Sequence, residues 1–129
     1  MEPVRRTPFS DAELDEFRAL IEAKRAAAVA DIEAARAQLR DSQQADNDST
    51  YSVHMADAGT DAAVRESRYQ DIARLQTFVG HLDRALARIA NKTYGVCRVT
   101  GQPIAKERLR AVPHTETSIE AKRAEQRRR

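Results

Sequence analysis

The sequence lacks several features that define common protein classes. It has no tryptophan, a single cysteine and only four glycines in 129 residues, and aromatic residues make up 5% of the chain. One cysteine cannot form an internal disulfide, which excludes a small disulfide-stapled domain. Since there is no signal-peptide pattern and no run of about 18 apolar residues, we expect a cytoplasmic protein without a membrane segment. The net charge of +2 is too small to indicate binding to nucleic acid.

The residues that are present favour helix. Charged residues make up 33% of the chain and hydrophobic residues 41%, which is typical of long amphipathic helices. Ser10 and Glu13 have the spacing of a capping box, in which each side chain accepts a hydrogen bond from the backbone N–H of the other residue. We therefore predict a first helix from Asp11 to about Asp41. Its apolar residues recur along one narrow stripe: Leu14, Phe17, Ile21, Ala28, Ile32, Ala35 and Leu39.

A second apolar stripe has the alternating steps of three and four residues that characterise a coiled-coil seam. Its members are Ile72, Leu75, Val79, Leu82, Leu86 and Ile89. The stripe predicts a second helix from about Thr60 to Ala90, matched in length to the first. Two narrow stripes on consecutive helices of equal length are most simply buried against each other. We therefore predict an all-α fold built on a long antiparallel helical hairpin, in a monomeric protein.

Two segments interrupt or precede this helical pattern. Residues 1–9 show no periodicity and are expected to form a loose, flexible N-terminal arm. Residues 41–59 contain a cluster of Asp, Asn and Ser, whose side chains compete for backbone hydrogen bonds, and are predicted to connect the two helices. The hairpin is thus expected to span residues 10–92, with its tip near residues 43–63.

Residues 93–129 are expected to form a small C-terminal module. A short helical stretch is predicted near Lys106 to Arg110, before a break at Pro113. A terminal helix follows the candidate capping box at residues 117–120. No glycine-rich phosphate loop and no recognisable catalytic constellation occurs in the chain, so we predict that the protein is not an enzyme.

The C-terminal module carries the most specific sequence motifs. In order they are Tyr-Gly-x-Cys at 94–97, Gly-x-Pro-Ile at 101–104, Glu-Arg-Leu-x-Ala-x-Pro at 107–113 and Ser-Ile-Glu-Ala-Lys at 118–122. Together with the preceding hairpin, they resemble the DksA/TraR family of bacterial transcription regulators, which bind RNA polymerase. The resemblance covers about residues 10–125. It implies a regulator that inserts its hairpin into the secondary channel of the polymerase and does not read DNA sequence.

The resemblance also implies a zinc finger with two Cys-x-x-Cys pairs, whose four thiolates close a tetrahedral site. The corresponding positions here are Cys97, Thr100, Ser118 and Ala121. Because one thiolate cannot hold a structural zinc, we predict a degenerate, zinc-less module with no cofactor. Apolar packing would then replace the metal. The candidates for this core, around Cys97, are Tyr94, Val96, Val99, Ile104, Leu109, Val112 and Ile119.

In the family, the hairpin tip presents acidic and small residues near the catalytic centre of the polymerase and modulates the stability of promoter complexes. A gapless count from the Tyr-Gly-x-Cys motif places Asp57 at the acidic position and Gly59 where the family usually has Ala. A shifted register would instead use Asp61 and Ala63, and both registers stay open. The residues alone also allow a purely structural role, in which Asp57 caps the second helix and Asp61 complements its dipole. The same count places Arg74 at a basic position that the family uses against the polymerase.

The family can bind the alarmone guanosine tetraphosphate together with the polymerase. Lys122 matches one basic position of that site, whereas His81 and Val112 stand where Lys and Arg are found in the best-studied type. Since Val112 offers no side-chain donor to a phosphate, the incomplete match argues against alarmone synergy. Two other functions stay open: a transcript-cleavage-type polymerase factor whose tip carboxylates hold a catalytic metal, and a structural coiled-coil adaptor.

Overall fold

The computed structural model describes the backbone of residues 6–48 and 55–128, and the side chains of residues 6–43 and 61–128. Within these ranges the chain is all-α, as the sequence predicts. The described backbone has one isolated antiparallel bridge, between Val96 and Pro103. The helices are α1 (Asp11–Asp48), α2 (Met55–Ala90), α3 (Lys106–Ala111) and α4 (Ile119–Arg127).

The two long helices extend further than the sequence predicts. α1 has 38 residues and continues beyond Asp41 to Asp48, while α2 has 36 residues and begins at Met55. The predicted connection over residues 41–59 is therefore wrong at both ends. The Asp, Asn and Ser residues near its start cost less than about 1 kcal/mol each inside a helix, and extending an established helix requires no new nucleation.

The start of α1 is fixed by the predicted capping box. The Ser10 N–H donates to Glu13 Oε1 at 3.0 Å, and the Glu13 N–H donates to Ser10 Oγ at 3.2 Å. Two residues of the predicted arm, Thr7 and Phe9, make defined contacts. The Thr7 N–H donates to the carbonyl of Lys92 at 2.7 Å, and the Phe9 ring lies 5.4 Å from the ring of Phe17.

Contacts divide the chain into two compact units, and α1 and α2 each contribute a segment to both. The first unit comprises Met1–Arg25 and Gly80–Arg129. Within it the beginning of α1 lies beside the end of α2, because Lys92 Nζ lies 2.6 Å from Asp11 Oδ1. The two helices are therefore antiparallel here. Their buried side chains in this unit include Leu14, Phe17, Ile21, Leu82, Ala85 and Ile89.

The second unit comprises Ala26–Val79, in which the remaining parts of α1 and α2 pack together. Its core is narrow, as the stripe pattern predicts. The buried residues are Ala28, Ile32 and Leu39 from α1 and Ile72 from α2. Ala35, Leu75 and Val79 pack against them and are partly buried. The sequence stripes therefore identify the faces through which the two helices meet.

The C-terminal module has its own core within the first unit. Tyr94, Cys97, Ile104 and Leu109 are fully buried, as predicted. Val99 and Ile119 are exposed, so the prediction that they belong to this core is wrong. α3 lies where the sequence predicts it. The N-cap of α4 is Ser118, whose hydroxyl accepts from the Ala121 N–H, rather than Thr117 at the head of the predicted capping box.

The described helices include no candidate membrane span. None of them combines the length and the apolar composition needed to cross a bilayer. The predicted division of the chain into an arm, a hairpin ending at residue 92 and a module from residue 93 stays a prediction.

Candidate functional site

The candidate tip residues all belong to α2. Asp61 and Ala63 are exposed on this helix. Asp57 and Gly59 also lie in α2 and not in the predicted connection. The side chain of Asp57 is outside the described part of the chain. Because α2 begins at Met55, Asp57 lies in the first turn and is not the capping residue. The choice between the Asp57 and Asp61 registers stays a prediction.

Arg74 is exposed on α2, at 71% of its side-chain surface. Its guanidinium forms an ion pair with Asp71, one turn earlier on the same helix. Leu75 and Phe78 line a shallow cavity beside this pair. An exposed i,i+3 ion pair contributes little to stability, so opening the pair between Arg74 and Asp71 costs little free energy.

The four positions that correspond to zinc ligands lie together in the C-terminal module. Cys97 is 1% exposed, and its Sγ accepts from the backbone N–H of Thr100 at 3.5 Å and of Ser118 at 3.4 Å. Burial raises the pKa of the Cys97 thiol, but hydrogen bonds from Thr100, Ser118 and Val99 outweigh burial and bring the pKa to about 6.

The other three positions are committed to the backbone or have no donor atom. Thr100 Oγ1 accepts from the Gln102 N–H at 3.2 Å, Ser118 Oγ accepts from the Ala121 N–H at 3.1 Å, and Ala121 ends in a methyl group. No group of three or more His, Cys, Asp or Glu that could hold a metal occurs among the described residues. One thiol, two hydroxyls and a methyl do not make a zinc site.

A cavity of about 300 Å³, called the basic cavity below, is lined by residues of the same module and of α2. Two carboxylates also line it, those of Glu116 and Glu125. The cavity brings together cations from α2, α3, α4 and the loop between α2 and α3, which are far apart in sequence. They are Arg84, Arg88, Arg98, Arg108 and Lys122.

The cavity also contains two histidines, whose rings stack at 5.6 Å. They are His81 and His114, and Arg84 Nη2 lies 2.6 Å from His81 Nδ1. Burial lowers the pKa of His114, and the charges of His81, Arg88, Lys122 and Lys24 lower it further. The contributions of Arg88, Lys122 and Lys24 to this lowering indicate a positive local potential in the cavity.

Two cations of the cavity are held in place by the module itself. Arg88 is 22% exposed, and its guanidinium donates to Glu116 Oε1 at 2.9 Å and to the His114 carbonyl at 3.2 Å. Arg108 Nε donates to the Thr117 carbonyl at 2.9 Å. The arginines therefore build the cavity wall as well as its charge.

Sequence reasoning identified only part of this site. Lys122, His81 and Val112 were connected through the family resemblance, and all three line the cavity. The arginines were missed, because the turns that bring α3 and residues 114–117 against α2 leave no periodic signal. Away from the cavity, sequence reasoning also missed the packing of Phe9 on Phe17. An apolar residue directly before a capping box is the signature of a hydrophobic staple.

Comparison with known proteins places these features in a family. Residues 92–127 match the prokaryotic dksA/traR C4-type zinc finger. General stress protein 16O of Bacillus subtilis is 41% identical over 70 residues, which are 53% of this chain and 42% of that protein. The RNA polymerase-binding transcription factor DksA of Caulobacter vibrioides is 38% identical over 73 residues, 57% of this chain and 49% of that protein. The match spans less than half the length of these curated relatives.

A solved structure corresponds over most of the chain. It is that of transcription factor DksA2 from Pseudomonas aeruginosa, with a TM-score of 0.79 and 31% sequence identity. The similarity covers 91% of this chain and 85% of that one. The fold and the module together thus define a helical-hairpin protein with a zinc-finger-type terminus. The chain belongs to the DksA/TraR family, as a variant in which a single cysteine is left.

Proposed function

We propose that this protein is a non-catalytic transcription regulator that binds RNA polymerase. The observation that supports the proposal best is the similarity of nearly the whole chain to the structure of a transcription factor of the same family. A second relative is named for its binding to RNA polymerase. A polymerase partner implies a cytoplasmic location, and the intramolecular packing of α1 on α2 is consistent with a monomer.

The hairpin is the part that we propose to enter the secondary channel of the polymerase. Positions 57 and 61 lie one helical turn apart on α2, so they share one face of that helix. Carboxylates on this face would approach a catalytic centre that is lined by cations and metal ions, whose local charges they perturb. The regulator would then act by binding one state of the promoter complex more tightly than another.

Arg74 is proposed to meet an acidic surface of the polymerase. Arg74 is exposed, and its ion pair with Asp71 is weak. Both observations support this role, because little stabilisation is lost when the pair opens. The cavity beside it, lined by Leu75 and Phe78, offers an apolar contact next to the charge. Such a combination of an arginine with apolar neighbours is typical of interface residues that dominate binding.

The C-terminal module is proposed to fold without zinc. The Cys97 sulfur accepts two backbone N–H groups where the family's thiolate would bind a metal. The loops on both sides of the missing site are thereby held to the same atom. Together with the buried Tyr94, whose hydroxyl donates to the Pro113 carbonyl at 2.8 Å, this arrangement takes over the function of the metal.

The basic cavity is proposed to bind phosphate groups more weakly than the alarmone site of the family. Lys122 provides one cation at a matching position, whereas Val112 lines the cavity without any donor. Arg84 and Arg98 add positive charge at positions that the resemblance did not identify. Guanosine tetraphosphate would therefore have a modest effect on this regulator.

The test measures the lifetime of promoter complexes formed by purified bacterial RNA polymerase. Addition of the protein should change that lifetime, and Asp57→Ala or Asp61→Ala should remove most of the effect, depending on the register. Glu66→Ala is the matched control, because Glu66 is an exposed acid on the same helix. An unchanged lifetime together with no binding to the polymerase would contradict the proposal.

The two alternatives predict different outcomes in the same preparation. A cleavage factor would shorten the transcripts of stalled polymerase, and substitution of the tip aspartates would abolish that activity. An adaptor would sediment as a dimer or bind other helices without any effect on the polymerase. We expect neither outcome.

A further inference from the structure

A carboxylate of the chain itself lies among the cations of the basic cavity. Glu116 Oε1 lies 2.9 Å from Arg88 Nη1, and Glu116 Oε2 lies 4.0 Å from Arg98 Nε. Each oxygen thus faces a different arginine, one on α2 and one in the loop that follows Cys97. Arginines hold a phosphate in a similar way, with different oxygens of the phosphate facing different guanidinium groups.

The position of Glu116 is set by its backbone as well as by its side chain. The Arg98 N–H donates to the Glu116 carbonyl at 2.9 Å, which ties the residue to the opposite wall of the cavity. The Glu116 side chain is nevertheless 42% exposed. Its carboxylate can therefore turn toward solvent without any change in the backbone, and Arg88 then keeps its hydrogen bond to the His114 carbonyl.

Other charged groups of the cavity are not neutralised in this way. No ion pair among the described residues involves Lys122 or the second carboxylate, Glu125. Glu125 therefore adds a negative charge to the cavity without forming an ion pair with any of its described cations. The two acids differ in their contacts but not in their charge, which makes them a matched pair.

We propose that Glu116 is a built-in anion that competes with phosphate for Arg88 and Arg98. An incoming phosphate must displace the carboxylate before it can contact these arginines, so Glu116 sets the concentration at which the cavity is occupied. The inference rests on the proposed function, because it concerns the same basic cavity. It attributes the weak binding proposed above to a group that is present, in addition to the missing donor at position 112.

The experiment is calorimetric titration of the full chain with inorganic pyrophosphate at one fixed ionic strength. Glu116→Gln keeps the volume of the side chain but removes its charge. A partly exposed ion pair is worth little, so we expect binding to tighten by about three- to tenfold. Glu125→Gln, with the same change of net charge, should alter the affinity by less than about twofold, because that carboxylate occupies no arginine.

The double variant Glu116→Gln with Lys122→Ala locates the gain in the cavity. It should lose most of the added affinity, because Lys122 is a remaining cation of the same wall. An equal gain from both glutamine substitutions, no gain from Glu116→Gln, or no measurable binding by that variant would overturn the inference. Since no polymerase is present, these outcomes are independent of the promoter-complex assay, which tests the proposed function.

Discussion

Gly95 occupies a position at which the fold strongly favours glycine. Its φ is +85°, and a Cβ built on it would clash with the ring of Phe9. The ring of Phe9 in turn contacts Phe17 and Tyr94, so it cannot move away freely. The glycine of the Tyr-Gly-x-Cys motif therefore allows the N-terminal segment to pack against the C-terminal module.

We predict that Gly95→Ala destabilises the protein by about 1–3 kcal/mol, because the added methyl group meets both an unfavourable φ and the aromatic ring. Urea denaturation measures the change. Gly80→Ala is the control, since its Cβ would lie 3.7 Å from the flexible end of Arg84 inside α2. That substitution should be neutral or stabilise by up to about 1 kcal/mol. Equal effects at the two glycines would contradict this account of Gly95.

Glu13 gives the stability a defined dependence on pH. Its carboxylate pairs with Lys106 and accepts the Ser10 N–H, and these hydrogen bonds lower its pKa from 4.5 to about 2. As the pH falls through 4.5, Glu13 takes up a proton in the unfolded chain but stays charged in the folded protein. The stabilisation is thus complete above pH 4.5 and is lost as the pH falls toward 2.

Glu13→Gln should remove this part of the acid sensitivity. We expect the melting temperature of the variant to fall less steeply between pH 5 and pH 2 than that of the natural sequence, with the two converging at the acid end. Glu16→Gln, an exposed position on the same helix, is the control. Parallel curves for all three proteins would show that Glu13 has no such role.

At the scale of elements, the proposal is that one sulfur holds the C-terminal module together where the family's zinc finger uses a metal. The loops that carry Thr100 and Ser118 both donate N–H groups to Cys97, which is fully buried. We predict that a strong chelator leaves the thermal unfolding unchanged. Cys97→Ala should cost about 1–3 kcal/mol in total, because two partly buried N–H groups lose their acceptor, whereas Cys97→Ser retains an acceptor and should cost less.

Metal analysis completes this test. Protein purified without chelator should contain no stoichiometric zinc. One zinc per chain, or unfolding upon addition of chelator, would contradict a module that is stabilised by hydrogen bonds to sulfur.

The elements also show how far sequence reasoning reaches. The a and d stripe of α2 and the apolar stripe of α1 identify the packed faces, because helical periodicity is written into the sequence. The helix ends near Asp41 and Thr60 were misplaced, since single Asp, Asn and Ser residues are only weak helix breakers and packing or propagation overrides them. Capping at Ser10 was predictable because the box is local.

At the scale of the whole molecule, the family could be inferred from the four motifs of the C-terminal module. The basic cavity could not, because it assembles residues from α2, α3, α4 and a loop through contacts that no spacing encodes. The exposure of Val99 and Ile119 was unpredictable for the same reason. Both lie on the module surface, where apolar residues are ordinary and indicate no core.

The central claim, that the hairpin is carried into RNA polymerase, is tested most directly by photocrosslinking. A photoreactive amino acid is placed at position 57 or 61 of α2 and, as a control, at position 123 of α4. The account predicts crosslinks from position 57 or 61 to polymerase segments at the catalytic centre, with the stronger signal identifying the register. It predicts no such crosslink from position 123. Crosslinks from both tip positions to the outer surface of the polymerase, or to no polymerase subunit, would contradict it.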